Sequence, residues 1–161
     1  MNKHDSLRAA IVALAPDLAR DPDNLRMWID KGKVRCTQTP SLNFFYEYKL
    51  SVLLVDFTGH PSVVCLAINE WLRANQPDLL RPDREAGYTF EADIVDSRTF
   101  DLLFELDLTE TAIVTPRQGG GWNIDHPGEP VPLLPDDLPL AGGATLQQGW
   151  VPGAELVPDP Q

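Results

Sequence analysis

Asp101, Glu105 and Asp107 fall at even spacing in one alternating stretch, which puts their carboxylates on one face of a strand. Carboxylates so placed can hold a divalent cation or serve as paired acids, the chemistry of a small metal-dependent hydrolase. They also suit the solvated face of an amphipathic strand, the reading to prefer when no partner residue accompanies them. The histidines, His4, His60 and His126, stand far apart, and none lies in a G-x-S-x-G or H-E-x-x-H pattern. His60 reads as a helix-entry residue. Gly119-Gly120-Gly121 lacks the G-K-[ST] ending and precedes a strand rather than a helix, so it is a hairpin turn and not a phosphate loop. Cys36 and Cys65 have no companion at zinc spacing and read as reduced, buried small hydrophobes. No catalytic, cofactor-binding or metal-binding residue is assigned, and no cofactor is expected.

The 161 residues suffice for one domain and an appendage; 43% are hydrophobic, enough for a packed core. No apolar run approaches the roughly 18–20 residues that span a bilayer, so no membrane role is expected. The first residues carry no apolar signal core, which predicts synthesis in the cytoplasm without export. The net charge of −11, with Arg117 the last cation, argues against a grip on nucleic acid, since phosphate neutralisation supplies most of such affinity.

The elements that would position these residues follow from periodicity. Leu7, Ile11, Leu14 and Leu18 recur at helical spacing after Asp5 or Ser6 as N-cap, and Pro16 breaks the pattern. Leu25 to Asp30 reads as a strand, Lys31-Gly32-Lys33 as a turn and Val34 to Thr37 as a return strand. The longest extended segment runs from Leu42 to Phe57. Phe44, Tyr46, Tyr48 and Leu50 take one face and Phe45, Glu47, Lys49 and Ser51 the other. From Val52 both faces turn apolar, as in a sheet covered on both sides. Pro61 suits a first helical position, and Val64, Ala67, Ile68, Trp71 and Leu72 make one stripe, with Trp71 a core anchor. Tyr88 to Ile94 and Leu102 to Leu108 alternate around a hairpin turn at Asp96-Ser97-Arg98-Thr99, and Ala112 to Thr115 continues or restarts a strand. The expected fold is α+β: a mainly antiparallel or mixed sheet of four to five strands packed by two helices, in residues 1–125. Residues 126–161 hold eight prolines, five glycines and no Lys or Arg. They form either a disordered tail or an extended arm that docks elsewhere.

Several fragments carry a resemblance: Tyr48-x-Leu50-x-Val52, Asp56-Phe57-Thr58-Gly59, Trp71-Leu72-Arg73-x-Asn75-Gln76-Pro77-Asp78, Phe90-x-Ala92-Asp93-Ile94, Phe100-Asp101 and Leu106-x-Leu108-Thr109-Glu110. In this order and spacing the chain resembles the tail completion (gpR-type) proteins of contractile-tailed temperate phages, from about Asp5 to Thr115. Pro16 and the long proline-rich tail depart from that pattern.

The resemblance implies a non-enzymatic virion protein of the tail neck, assembled in the host cytoplasm. It would cap the head-proximal end of tail tube and sheath, stop their polymerisation and present a surface to the head–tail connector. A connector-side stopper or adaptor is the neighbouring alternative. Terminators of this kind form hexameric rings, so tube and sheath proteins, connector proteins and further copies of the chain are the implied partners. Trp28 and the strip Phe45, Glu47, Lys49 are candidate interface residues, although a core or clamp role suits the aromatics equally. Leu133, Leu134 and Trp150 are candidate anchors of an arm. An acidic lumen would also let DNA pass without gripping it.

Overall fold

The computed structural model describes residues 2–36, 40–85, 87–95 and 99–129. Among these residues five strands form one antiparallel sheet: β1 (Leu25–Cys36), β2 (Phe44–Phe57), β3 (Thr89–Ile94), β4 (Phe100–Pro116) and β5 (Trp122–Asp125). The order is β1-β2-β4-β3, with β5 paired to the far end of β4. Helices α1 (Lys3–Leu14) and α3 (Pro61–Asn75) pack on the sheet, and α2 (Asp17–Arg20) is the separate turn that Pro16 leaves behind. The expected α+β architecture is present.

Parity builds the core. Tyr48, Leu50, Val52 and Leu54 of β2 stand opposite Leu108, Leu106, Phe104 and Leu102 of β4, and all eight are buried. Leu7 and Ile11 of α1 and Val64, Ala67, Ile68, Trp71 and Leu72 of α3 close over them. Trp71 is the anchor its spacing predicts, and its indole donates to Ser6 Oγ at 2.9 Å. His60 caps α3, its Nδ1 accepting from the Ser62 amide at 3.2 Å.

Four expectations need correction. Lys31-Gly32-Lys33 is not a turn: β1 is a single strand, and its register slips between Ile29 and Gly32. A bulge accommodates the extra residue while the ladder to β2 resumes on both sides. Among the described residues the sheet is covered on one face only, because their helices contribute to the same core; Leu53, Val55 and Leu103 on the opposite face are half-buried. Cys36 is exposed near the sheet edge rather than buried, and Cys65 is half-buried on α3. Helix α1 begins at Lys3, ahead of Asp5 and Ser6, and its cap residue Asn2 makes no side-chain cap bond. A distant carboxylate, Glu110, does that work instead.

The turn expected at 96–99 lies mostly outside the described residues, but β3 and β4 pair as a hairpin there and the Val95 amide donates to the Thr99 carbonyl at 3.2 Å. Gly119, Gly120 and Gly121 all have positive φ, the conformation a glycine hairpin turn requires. His126 and Glu129, expected in the arm, reach back: His126 Nδ1 lies 3.1 Å from the Thr111 carbonyl, and Glu129 pairs with Lys3 at 2.8 Å.

Candidate assembly surfaces

The uncovered face of the sheet gathers four of the residues singled out in the sequence. Trp28 on β1 stands opposite Ser51, and Phe45, Glu47 and Lys49 alternate along β2 with the same parity as Ser51. Trp28 is 39% exposed, and its indole donates to Asp30 Oδ1 at 2.9 Å. Ser51 Oγ donates to the other Asp30 oxygen at 3.0 Å, fixing the tryptophan edge against the sheet. Arg35 Nη2 meets Glu47 Oε1 at 2.6 Å and lies over the Phe45 ring, 5.9 Å from its centroid. The other three candidates, Leu133, Leu134 and Trp150, lie outside the described residues.

The acids with which hydrolase chemistry would begin lie on this same face and already have partners. Lys49 Nζ sits 3.3 Å from Glu105 and 3.7 Å from Asp107, and these contacts raise its pKa. Asp101 Oδ1 accepts the amide of Asp56, whose φ of 51° is left-handed, at the irregular end of β2. Among the described residues, no three His, Cys, Asp or Glu side chains are placed to hold a metal. The arrangement is a ladder of opposite charges across neighbouring strands, which stabilises a sheet face modestly and keeps it polar.

Sequence reasoning missed three features. Glu110 is 6% exposed, and it accepts from the Asn2 amide at 2.7 Å, from the Lys3 amide at 3.4 Å and from the Tyr48 hydroxyl. Burial alone would raise its pKa; the Tyr48 hydroxyl and the two amides outweigh that and hold it low. Conversely, burial, followed by the bond to Glu110 and its charge, pushes the Tyr48 hydroxyl well up, so it stays a donor. Next to it, buried Gln76 accepts from Lys3 Nζ at 2.7 Å and donates to Thr109 Oγ1 at 2.9 Å. The signal was legible: Glu110 continues the inward parity of Leu102, Phe104, Leu106 and Leu108, where an acid must find donors.

The second is the place of β3: the strand read from Tyr88 to Ile94 lies at the sheet edge, with every residue exposed. The third is the apolar side of the β4–β5 hairpin that the glycine turn marks, where Val114 pairs with Ile124 and Pro116 with Trp122.

The family model described as P2 phage tail completion protein R (GpR) matches residues 1–130. Tail completion protein R of Escherichia phage P2 is 37% identical over 142 residues, covering 87% of this chain and 91% of that protein. The chain belongs to the phage tail completion protein R family. No solved structure matches it. Membership makes it a structural protein of the phage tail. The family match ends at residue 130, one position beyond the last described residue. Among the described residues, no helix is long and apolar enough to cross a membrane.

Proposed function

We propose that this tail completion protein caps the head-proximal end of the tail tube and sheath, ends their polymerisation and prepares the tail for head joining. Family membership carries the reading. The fold supports it: a rigid sheet with one face packed and the other left open, polar and studded with an exposed tryptophan, suits a subunit that must meet neighbours on several sides. In this reading Trp28, Phe45, Glu47 and Lys49 face a neighbouring copy or the tube, and residues 126–161 supply an arm from the neck of the tail. The subunits act as a ring, six in number by analogy with other terminators, and use no cofactor. With a net charge of −11 the ring lets DNA through without binding it.

Deleting the gene in a producing lysogen and imaging the lysate by negative-stain electron microscopy tests the proposal. Filled heads beside unattached tails of abnormal length are expected. Tails of uniform normal length that fail to join heads would instead assign the protein to the connector side, and intact particles would overturn both roles.

A further inference from the structure

The uncovered face is electrically lopsided. Toward the β1 edge it carries Arg26, Lys33 and Arg35; toward the β3 edge it carries Glu91, Asp93, Asp101, Glu105 and Asp107. Lys49 on β2 answers Glu105 and Asp107. Glu91 and Asp93 have no ion-pair partner among the described residues, and Asp93 stands directly opposite Asp101, a like-charge pair that weakens the ladder. Lys33 is likewise without an ion-pair partner there, and Arg35 keeps donors beyond the one it gives Glu47.

Both edges are open. On their outer sides neither β1 nor β3 pairs with another strand among the described residues. They also match on the opposite face, where β3 shows Phe90 and Ile94, 59% and 69% exposed, and β1 shows Val34, 59% exposed, with the exposed Cys36. Direction fits as well. Strands β1, β2, β4 and β3 alternate along the sheet, so the β3 of one copy meets the β1 of the next antiparallel, with both copies keeping the same face to the same side.

We infer that a second copy of this chain docks head to tail on the first, its β1 segment Gly32–Cys36 pairing with β3 residues Phe90–Ile94, Glu91 against Arg35 and Asp93 against Lys33. This rests on the ring assembly proposed above and names its contact. Acids meet bases on the polar face, Phe90 and Ala92 meet Cys36 and Val34 on the other, and both unpaired edges are satisfied. A head-to-tail contact of this kind closes into a ring when the rotation permits. Within a copy, Lys33 and Arg35 sit level with β4 residues 109–111, whereas β3 sits level with 100–105. Successive copies are therefore staggered along the strands by roughly 25 Å at about 3.3 Å per residue. Strands that tilt about 35–45° in a closed sheet require a stagger of this kind.

The test is a charge swap in the full-length protein, read by native mass spectrometry over a concentration series and by rescue of tail assembly in the deletion lysogen. Glu91→Lys with Asp93→Lys should weaken self-association at least about tenfold, and so should Lys33→Glu with Arg35→Glu. The four substitutions combined should restore both association and rescue, while thermal melting confirms that all three variants fold. Because Phe90 faces Cys36 in this register, Phe90→Cys in a Cys65→Ser background should also give an oxidative intersubunit cross-link. A wild-type oligomer indifferent to either reversal would overturn this contact and leave ring assembly standing. A wild-type chain that stays monomeric at every concentration, rescued alike by all variants, would overturn the contact and self-association together.

Discussion

Strand β4 carries acids of both parities, and they live in different worlds. Glu110 points inward, has water on almost none of its surface and is held by two backbone amides and a tyrosine. Glu105 and Asp107 point outward and share one lysine in reach of solvent. A shift of one residue along the strand separates a carboxylate that anchors the N-terminal helix from carboxylates that decorate a surface. The covered face therefore holds the fold together, while the opposite face is left to solvent among the described residues.

The largest test of that division lies in the core. Phe104→Ala, at a fully buried ring, should cost about 3–5 kcal/mol in urea unfolding. Leu103→Ala, its half-buried neighbour on the other face, should cost about 1 kcal/mol. Equal losses would mean that something covers the open face within the monomer. Glu110→Ala comes next. It strands the Tyr48 hydroxyl and the Asn2 and Lys3 amides beside a small void, and about 2–4 kcal/mol should be lost. Glu105→Ala removes one exposed ion pair and should change stability by about 0.5 kcal/mol or less.

Acid titration sharpens the same contrast. The Glu110 carboxyl titrates lower in the folded chain than the value of 4.5 expected when unfolded. As pH falls the unfolded chain takes up the proton first. The stability Glu110 contributes is thus present above about pH 4.5 and drains away as pH falls through the lower folded value. Urea midpoints for the wild type should drop in that window, and Glu110→Gln should show a shallower acid slope.

Much of this was legible in the chain. Alternation from Leu102 to Leu108 assigned both faces of β4, and the stripe Val64, Ala67, Ile68, Trp71, Leu72 assigned the buried side of α3. The grouping of Phe45, Glu47 and Lys49 on one face followed from parity alone. Three things did not follow. Apolar residues of both parities after Val52 suggest two covered faces, yet Leu53 and Leu103 merely stand opposite each other and, like Val55, stay half-buried on the other side; periodicity cannot tell these cases apart. The cap of α1 comes from Glu110, more than a hundred positions away, where no local capping rule can look. Strand order is also a tertiary property, so nothing local marked β1 and β3 as the two edges with opposite charge.

The smallest expected effect discriminates most finely between a turn and a bulge at Gly32. A Lys-Gly-Lys turn would need glycine for a left-handed backbone, and alanine there would be strained. In the structure, Gly32 stands opposite Tyr48 within the β1–β2 ladder, and its φ is not among the positive ones. An added Cβ would lie 3.5 Å from Tyr48 Cβ and 3.7 Å from the Glu47 carbonyl, ordinary contact distances. Gly32→Ala should therefore shift stability by no more than about 0.5 kcal/mol, and the lower unfolded-state entropy of alanine favours the stabilising direction. Gly32 has the inward parity but lies where the helices no longer cover the sheet, so it also marks where the packed face ends. A loss above about 1 kcal/mol would show that the backbone turns there, or that the core extends further along β1 than its exposed side chains indicate.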